Sequence, residues 1–220
     1  MRHTVPAMHV LFVCTGNVCR SVIAERLARA LAAEYGLRDL TAESAGTRAL
    51  VGFGVEPLAA QTITGLGGDA GDFRARRVKP EMLARADLIL AMSEQIRDEL
   101  ATHAPDAAAR IFTLPQAYRI AKVTGARTVA ELDSARNDLA LVGRENIPDP
   151  VGLSAAKYCA AGDHIAETLV PLLLALHIHA EHGLDRRGAD ERGRPRLVVL
   201  PGGRADATRP PNSVRIDRHA

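Results

Sequence analysis

At 220 residues, with 28 lysines and arginines against 26 acids, the chain has room for one domain plus an appendage and no overall charge that would select an anionic partner. Aromatic residues make up only 3% of it and tryptophan is absent, which argues against a nucleic-acid binder, whose basic face would be interleaved with aromatics. The small basic excess is local: from Glu181 on, nine arginines stand against six acids, and residues 1–180 are close to neutral.

Three cysteines, Cys14, Cys19 and Cys159, give neither a disulfide framework nor a metal-binding spacing, so a reducing, cytoplasmic setting is expected. Met1 to Met8 hold no apolar core of signal-peptide length. The most apolar stretch, Ile165 to Ile178, is interrupted by Glu167, Pro171 and His177. It falls short of the ~20 residues a membrane-spanning helix needs, so no span is expected.

In chain order, the apolar run Val10 to Val13 reads as a strand, Cys14 to Ser21 as a tight loop, and Val22 to Leu31 as an amphipathic helix stopped at Gly36. Thr41 to Ala45 is a short strand closed by Gly46-Thr47. Val55 to Thr64 has helical spacing, Leu66 to Gly71 is a glycine-rich loop, and Asp72 to Arg77 is basic and irregular. A helix starts at Pro80 and runs through Arg85. Asp87 to Met92 is an apolar run of the kind buried on both faces of a sheet, and Ser93 caps a helix over Glu94 to His103. Arg110 to Leu114 is the next strand, ended by Pro115, followed by helices over Gln116 to Lys122 and Val129 to Val142. Asn146 to Pro150 is a proline-stiffened loop, and Ser154 to His179 is helical.

Strands alternating with helices predict an α/β three-layer sandwich: a mostly parallel, four-stranded sheet with helices on both faces. Residues 1–180 form that domain. Residues 181–220, rich in Arg, Gly and Pro, read as a disordered tail without an assigned partner.

The loop carries the chemistry. Five residues separate Cys14 from Arg20, a spacing that lets backbone N–H groups curl around one tetrahedral oxyanion. The helix end that follows favours negative charge, and Arg20 adds a planar fork for two oxygens. The same field suits a thiolate nucleophile. Taken alone, Cys14 reads equally well as a small core residue; the pattern Cys-x5-Arg-Ser between a strand and a helix does not. A Walker A loop is absent. His177, His179 and His182 lack a carboxylate or cysteine at ligand spacing and read as a solvated helix end, so no metal or cofactor is expected.

Cys14-Thr15-Gly16-Asn17-Val18-Cys19-Arg20-Ser21, Ser44-Ala45-Gly46-Thr47, Asp87 to Met92 and Asp149-Pro150 together resemble the low-molecular-weight protein tyrosine phosphatases, over about Met8 to Leu176. The resemblance implies a cysteine-dependent hydrolase acting on phosphotyrosine in proteins through a phosphocysteine intermediate. Cys14 is then the nucleophile, Arg20 the phosphate clamp and Asp149 the general acid, whose proline neighbour restricts it to extended backbone. Thr15, Gly16, Asn17, Val18, Cys19 and Ser21 complete the substrate loop. Asn17 suits left-handed backbone, Ser21 is placed to hydrogen-bond the thiolate, and Ser44 to support the loop. Cys19 is either buried packing or a partner for a reversible disulfide with Cys14. Cys159 is read as inert packing.

The sequence departs from the family at the pocket wall. Val151-Gly152 stand where relatives often carry aromatics, and Phe73 stands in a segment where they often carry histidine. Phe53 is either a replacement aromatic wall or an ordinary packed or exposed side chain. Tyrosine-directed relatives have a branched aliphatic at the position of Val18, and protein-arginine phosphatases a threonine. The alternatives left open are a protein-arginine phosphatase, an arsenate reductase using an external thiol, and a phosphate-binding module without turnover.

Overall fold

The computed structural model describes residues 7–136 and 146–182. Four strands, β1 (Met8–Cys14), β2 (Leu40–Gly46), β3 (Leu88–Ala91) and β4 (Ile111–Thr113), form one sheet in the order β2-β1-β3-β4, with every neighbouring pair parallel. Seven helices accompany them among the described residues: α1 (Arg20–Tyr35), α2 (Pro57–Gly65), α3 (Pro80–Arg85), α4 (Glu94–His103), α5 (Leu114–Thr124), α6 (Val129–Ala135) and α7 (Ala155–His182).

The strand alternation divides the interior in two. Val10 and Phe12 of β1 face a core shared with Ile23 of α1, Ile120 of α5 and Leu169 of α7. Leu11 and Val13 face a second core with Met82 of α3 and Ile96 and Leu100 of α4. A sheet so covered on both sides explains why β1 and β3 are continuous apolar runs rather than alternating ones, and it is the three-layer sandwich expected. The chain leaves β1 to one side to form β2, then crosses to the other for β3 and β4. Ligands of open parallel sheets bind beyond the strands' carboxyl ends where the order reverses. Cys14 ends β1 at that point.

Local differences from expectation have physical causes. Helix α1 begins at Arg20, two residues before its apolar periodicity, because Arg20 and Ser21 are themselves buried. Pro115 does not stop a strand. It sits in the first turn of α5, where its missing N–H costs no helix bond, and Thr113 and Gln116 close a reciprocal capping box there. A short 3-10 helix, Pro105–Arg110, was not expected. Ser93 caps α4 as read, accepting from the Ile96 N–H. Helix α6 ends at Ala135 with Arg136 as its C-cap, short of the Val142 expected, and residues 137–145 and the tail from residue 183 on lie outside the described residues.

Helix α7 is longer and more apolar than the stretch Ile165 to Ile178 suggested: Ala155–His177 is long and apolar enough by length and composition to cross a membrane. Here it packs against the sheet's helical layer, burying Tyr158, Ile165, Leu169, Leu172 and Leu173 in the main core. His177 is buried on this helix rather than solvated, correcting the reading of a solvated histidine end; the side chains of His179 and His182 lie outside the described residues.

Candidate active site

The loop from Cys14 to Arg20 is held from outside by its own carbonyls. Cys14 O accepts from the Thr47 N–H at 3.0 Å, Thr15 O from Arg48 at 2.9 Å, Gly16 O from Leu50 at 3.0 Å and Val18 O from Glu56 at 2.9 Å. With the carbonyls tied outward, loop N–H groups are left for the inside, and the Asn17 N–H reaches Cys14 Sγ at 3.2 Å. Cys19 stands at the N-cap of α1 and offers no side-chain cap, so the positive end of that helix faces the loop.

Two features let the loop close this tightly. Asn17 takes φ 54°, the left-handed backbone its residue type tolerates. Gly46 passes so near that a Cβ there would lie 2.4 Å from Thr15 O and 2.9 Å from Asn17 N. Only glycine fits at the end of β2, which gives the Ser44-Ala45-Gly46-Thr47 motif its physical meaning.

Behind the loop runs a hydrogen-bond chain whose direction is determined. Asn17 Oδ1 accepts from the Arg76 N–H at 2.8 Å, which fixes the amide so that its Nδ2 donates to both Ser21 Oγ (3.0 Å) and Ser44 Oγ (2.9 Å). Ser44 in turn donates to the carboxylate of Glu25, a buried acid on α1 that also pairs with Arg29 at 2.7 Å. Ser21 Oγ lies 2.9 Å from Cys14 Sγ. Because Ser21 already accepts from Asn17, its own proton is free for sulfur, the polarity a thiolate needs.

Arg20 reaches the other way. Its Nη1 donates to Ile147 O at 3.1 Å, and its Nη2 to Asp149 Oδ2. Residues 127 and 129 positions apart in sequence are thereby joined at one guanidinium. Ile147 is buried and bonds Met92 O through its N–H, so the segment Asn146 to Pro150 is pinned beside the end of β3 while Asp149 itself is 48% exposed.

A cavity of about 260 Å³ is lined by Cys14, Thr15, Gly16, Val18, Cys19 and Arg20 of the loop, with Arg48, Leu50, Asp149 and Val151 around it. Asn17 and Ser21, fully buried, stand behind it and do not line it. Its apolar walls are aliphatic. Phe53 is exposed and does not line the cavity, whereas Phe73 is buried in the main core with the Arg26 guanidinium 5.6 Å from its ring centre. Cys19 is a buried thiol pushed up to about 12 by burial, with the charges of Cys14 and Asp149 adding to it. Cys159 lies on α7, half-buried and away from this cavity's lining.

Glu25, Gly46 and Arg76 were not singled out from the sequence. Gly46 carried a signal, since it lies in a motif already noted. Arg76 had none: it touches the loop through its backbone N–H, 59 positions away from Asn17.

The chain matches the family model described as low molecular weight phosphotyrosine protein phosphatase over residues 9–134. It is 33% identical over 105 residues to the probable low molecular weight protein-tyrosine-phosphatase EpsP of Ralstonia nicotianae, covering 48% of this chain and 69% of that protein. It is 33% identical over 142 residues to the low molecular weight protein-tyrosine-phosphatase Wzb of Escherichia coli, covering 58% of this chain and 90% of the relative. Among solved structures it resembles the low molecular weight protein tyrosine phosphatase of T. tengcongensis, with TM-score 0.60 and 31% identity over 76% of this chain and 98% of that one. The YwlE arginine phosphatase of Geobacillus stearothermophilus gives TM-score 0.61 and 28% identity over 83% and 99% of the two chains. The chain belongs to the low-molecular-weight phosphotyrosine protein phosphatase family. The family match ends before Asp149, so the case for that residue rests on its pairing with Arg20 at the cavity.

Proposed function

We propose that the protein hydrolyses phosphotyrosine in proteins, with Cys14 as nucleophile, Arg20 as phosphate clamp and Asp149 as general acid and base. The observation that carries this reading is the pair of hydrogen bonds aimed at Cys14 Sγ, from Ser21 and the Asn17 N–H, in a cavity that Asp149 also lines.

In the first step Cys14 Sγ attacks phosphorus, a sulfur–phosphorus bond forms and the bond to the tyrosyl oxygen breaks. The proton of the Asp149 carboxyl goes to that departing oxygen. For this, Arg20 first exchanges the Asp149 carboxylate for phosphate oxygens, the loop N–H groups holding the rest, and the half-exposed Asp149, released from the guanidinium, takes up from solvent the proton it then donates. In the second step the Asp149 carboxylate takes a proton from water, whose oxygen attacks phosphorus. Inorganic phosphate leaves, and sulfur regains its electron pair, stabilised by Ser21. Every group required is on the chain, and no cofactor or metal is invoked. A reducing cytoplasmic compartment suits a mechanism that depends on a free thiol.

Val18, buried against the cavity, supports tyrosine over arginine as the phosphorylated residue, since the resemblance puts a branched aliphatic there in tyrosine-directed relatives. The fold likeness to an arginine phosphatase makes phosphoarginine the necessary comparison. Steady-state kinetics on phosphotyrosine, phosphoarginine and phosphoserine peptides, beside a thiol-dependent arsenate assay, tests the reading. Turnover concentrated on phosphotyrosine and lost in Cys14→Ser is expected. Retained turnover in Cys14→Ser, or preference for phosphoarginine or arsenate, overturns it.

A further inference from the structure

The cations around the site are almost all committed. Arg20 pairs with Asp149, Arg76 and Arg85 with Glu43, and Arg29 with Glu25, while Arg26 lies over Phe73. Arg48 is different. Its side chain is exposed, and no ion pair or hydrogen bond from its guanidinium is seen among the described residues. Its backbone is nevertheless tied to the nucleophile loop, because its N–H is bonded to Thr15 O and Thr47 and Leu50 are bonded to Cys14 O and Gly16 O on either side. The backbone that carries this uncommitted charge is therefore tethered beside the nucleophile loop.

Arg48 also stands at a divide. It lines the nucleophile cavity and, with Thr15, Arg20 and Asp149, a second groove of about 340 Å³ that runs toward Ser93 and Asn146. The groove carries one further acid, Glu99 of α4, which does not line the nucleophile cavity. A substrate chain whose phosphotyrosyl side chain enters the first cavity has its neighbouring residues laid over this divide. An anionic neighbour is attracted to Arg48, and one further out in the groove is repelled by Glu99.

We propose that Arg48 is a specificity residue that selects a phosphotyrosine with an acidic side chain, Asp or Glu, next to it in the substrate. The inference rests on the phosphatase reading above. It assigns the ligand by charge and reach: a carboxylate meeting a solvent-accessible guanidinium, an interaction of the size exposed ion pairs contribute, about a two- to fivefold preference in kcat/KM. The preference comes through binding, so it appears in KM, and it shrinks as added salt screens the pair.

The test is the ratio of kcat/KM for two phosphotyrosine peptides that differ only in Glu or Ala beside the phosphotyrosine, scanned over both flanks. A third peptide with a second phosphotyrosine in place of Glu separates a carboxylate preference from a general preference for anions. Each ratio is taken within one protein, so that loss of overall turnover in a variant cancels. The full chain is expected to favour Glu at one flank, Arg48→Ala to bring the ratio near one, and Arg48→Glu to invert it in favour of a Lys peptide. A Glu/Ala ratio of one in the unaltered protein, or a ratio unchanged in Arg48→Ala, overturns the proposal, as does a larger preference for the second phosphotyrosine than for Glu. If no peptide is turned over at all, the phosphatase reading fails instead, and the two failures are distinguished.

Discussion

The two sides of the site are built in opposite ways. The nucleophile side is over-determined: Asn17, Ser21 and Ser44 are completely buried, and four loop carbonyls are bonded by a strand of backbone wrapped outside them. The acid side is held more sparsely, chiefly at its entrance, through the Ile147 N–H to Met92 O, Arg20 to Ile147 O and the Glu94 N–H to Asn146 Oδ1 at 2.7 Å. Past that point Arg20 is the cross-chain partner of Asp149, and Val151, Gly152 and Leu153 are exposed. The difference fits the division of labour. A thiolate and its oxyanion cradle act best with no reorganisation during reaction, whereas the proposed acid serves first a departing tyrosyl oxygen and then an attacking water. In the proposed mechanism the Arg20–Asp149 pair couples release of Asp149 to the arrival of phosphate at the same guanidinium.

Removing the acid is the largest way to break this arrangement short of removing the nucleophile. Asp149→Ala is expected to lower kcat by about 10²–10⁴, most for aryl phosphates with poor leaving groups and least for activated ones. A loss that ignores leaving-group acidity in a linear free-energy series argues against proton donation. The variant should change the melting temperature little, since the carboxylate it removes is half-exposed and the buried Arg20 keeps its bond to Ile147 O.

The same substitution placed on each side measures how differently they are constrained. Gly46→Ala forces a Cβ into backbone atoms of Thr15 and Asn17. It is expected to cost about 1–3 kcal/mol of stability, read by denaturant unfolding, together with a large fall in turnover as the loop is displaced. Gly152→Ala meets nothing within 4 Å and suffers only its positive φ of 79°. That strain costs about 1 kcal/mol, and turnover should change little beside that of Gly46→Ala. Equal effects at the two glycines would show that the loop is not held as tightly as its contacts imply.

A smaller effect probes the chain behind the loop. Glu25→Gln keeps the shape but not the obligatory acceptor that orients Ser44, Asn17 and Ser21 in sequence. A severalfold loss in kcat with KM retained is expected, and steady-state kinetics on an aryl phosphate reads it. Ser44→Ala, which cuts the same chain one bond nearer sulfur, should give no less.

How much of this could be read from the residues follows the same division. Cys14 to Ser21 and the strand before it are local, and the order strand, loop, helix was legible from spacing and apolar runs. Asp149 was legible because proline flanks it on both sides and the motif is a resemblance to a family, not because anything local marks it as an acid. The supporting shell was mostly hidden. Arg76 acts through its backbone, Glu25 looks like any helical glutamate, and both are made functional only by the closure of β1 against β2. Pro115 and the burial of His177 were misread for a related reason: propensity reports what a residue does alone, and tertiary packing decided both positions.

The smallest expected effect lies furthest from sulfur and concerns pH. On β2, Glu43 is buried beside His9 Nε2 at 2.8 Å, accepts from Arg85 and pairs with Arg76 at 3.2 Å. Burial pushes its carboxyl up, but the hydrogen bonds from His9 and Arg85 and the charges of Arg76 and Arg85 together hold it below its ordinary value. A carboxyl depressed in the folded state stabilises the fold above its unfolded value, and that stabilisation is lost as pH falls through the depressed one. The protein should therefore melt above Glu43→Gln at neutral pH, with the gap closing as acid protonates Glu43. Because Arg76 also donates through Nε to Ser44 O and through its N–H to Asn17, releasing it from Glu43 loosens the outer wall of the nucleophile loop. A melting gap constant from about pH 7 to about pH 3 would mean that Glu43 acts by shape alone, and that the rigidity of the nucleophile side does not extend to this charged edge.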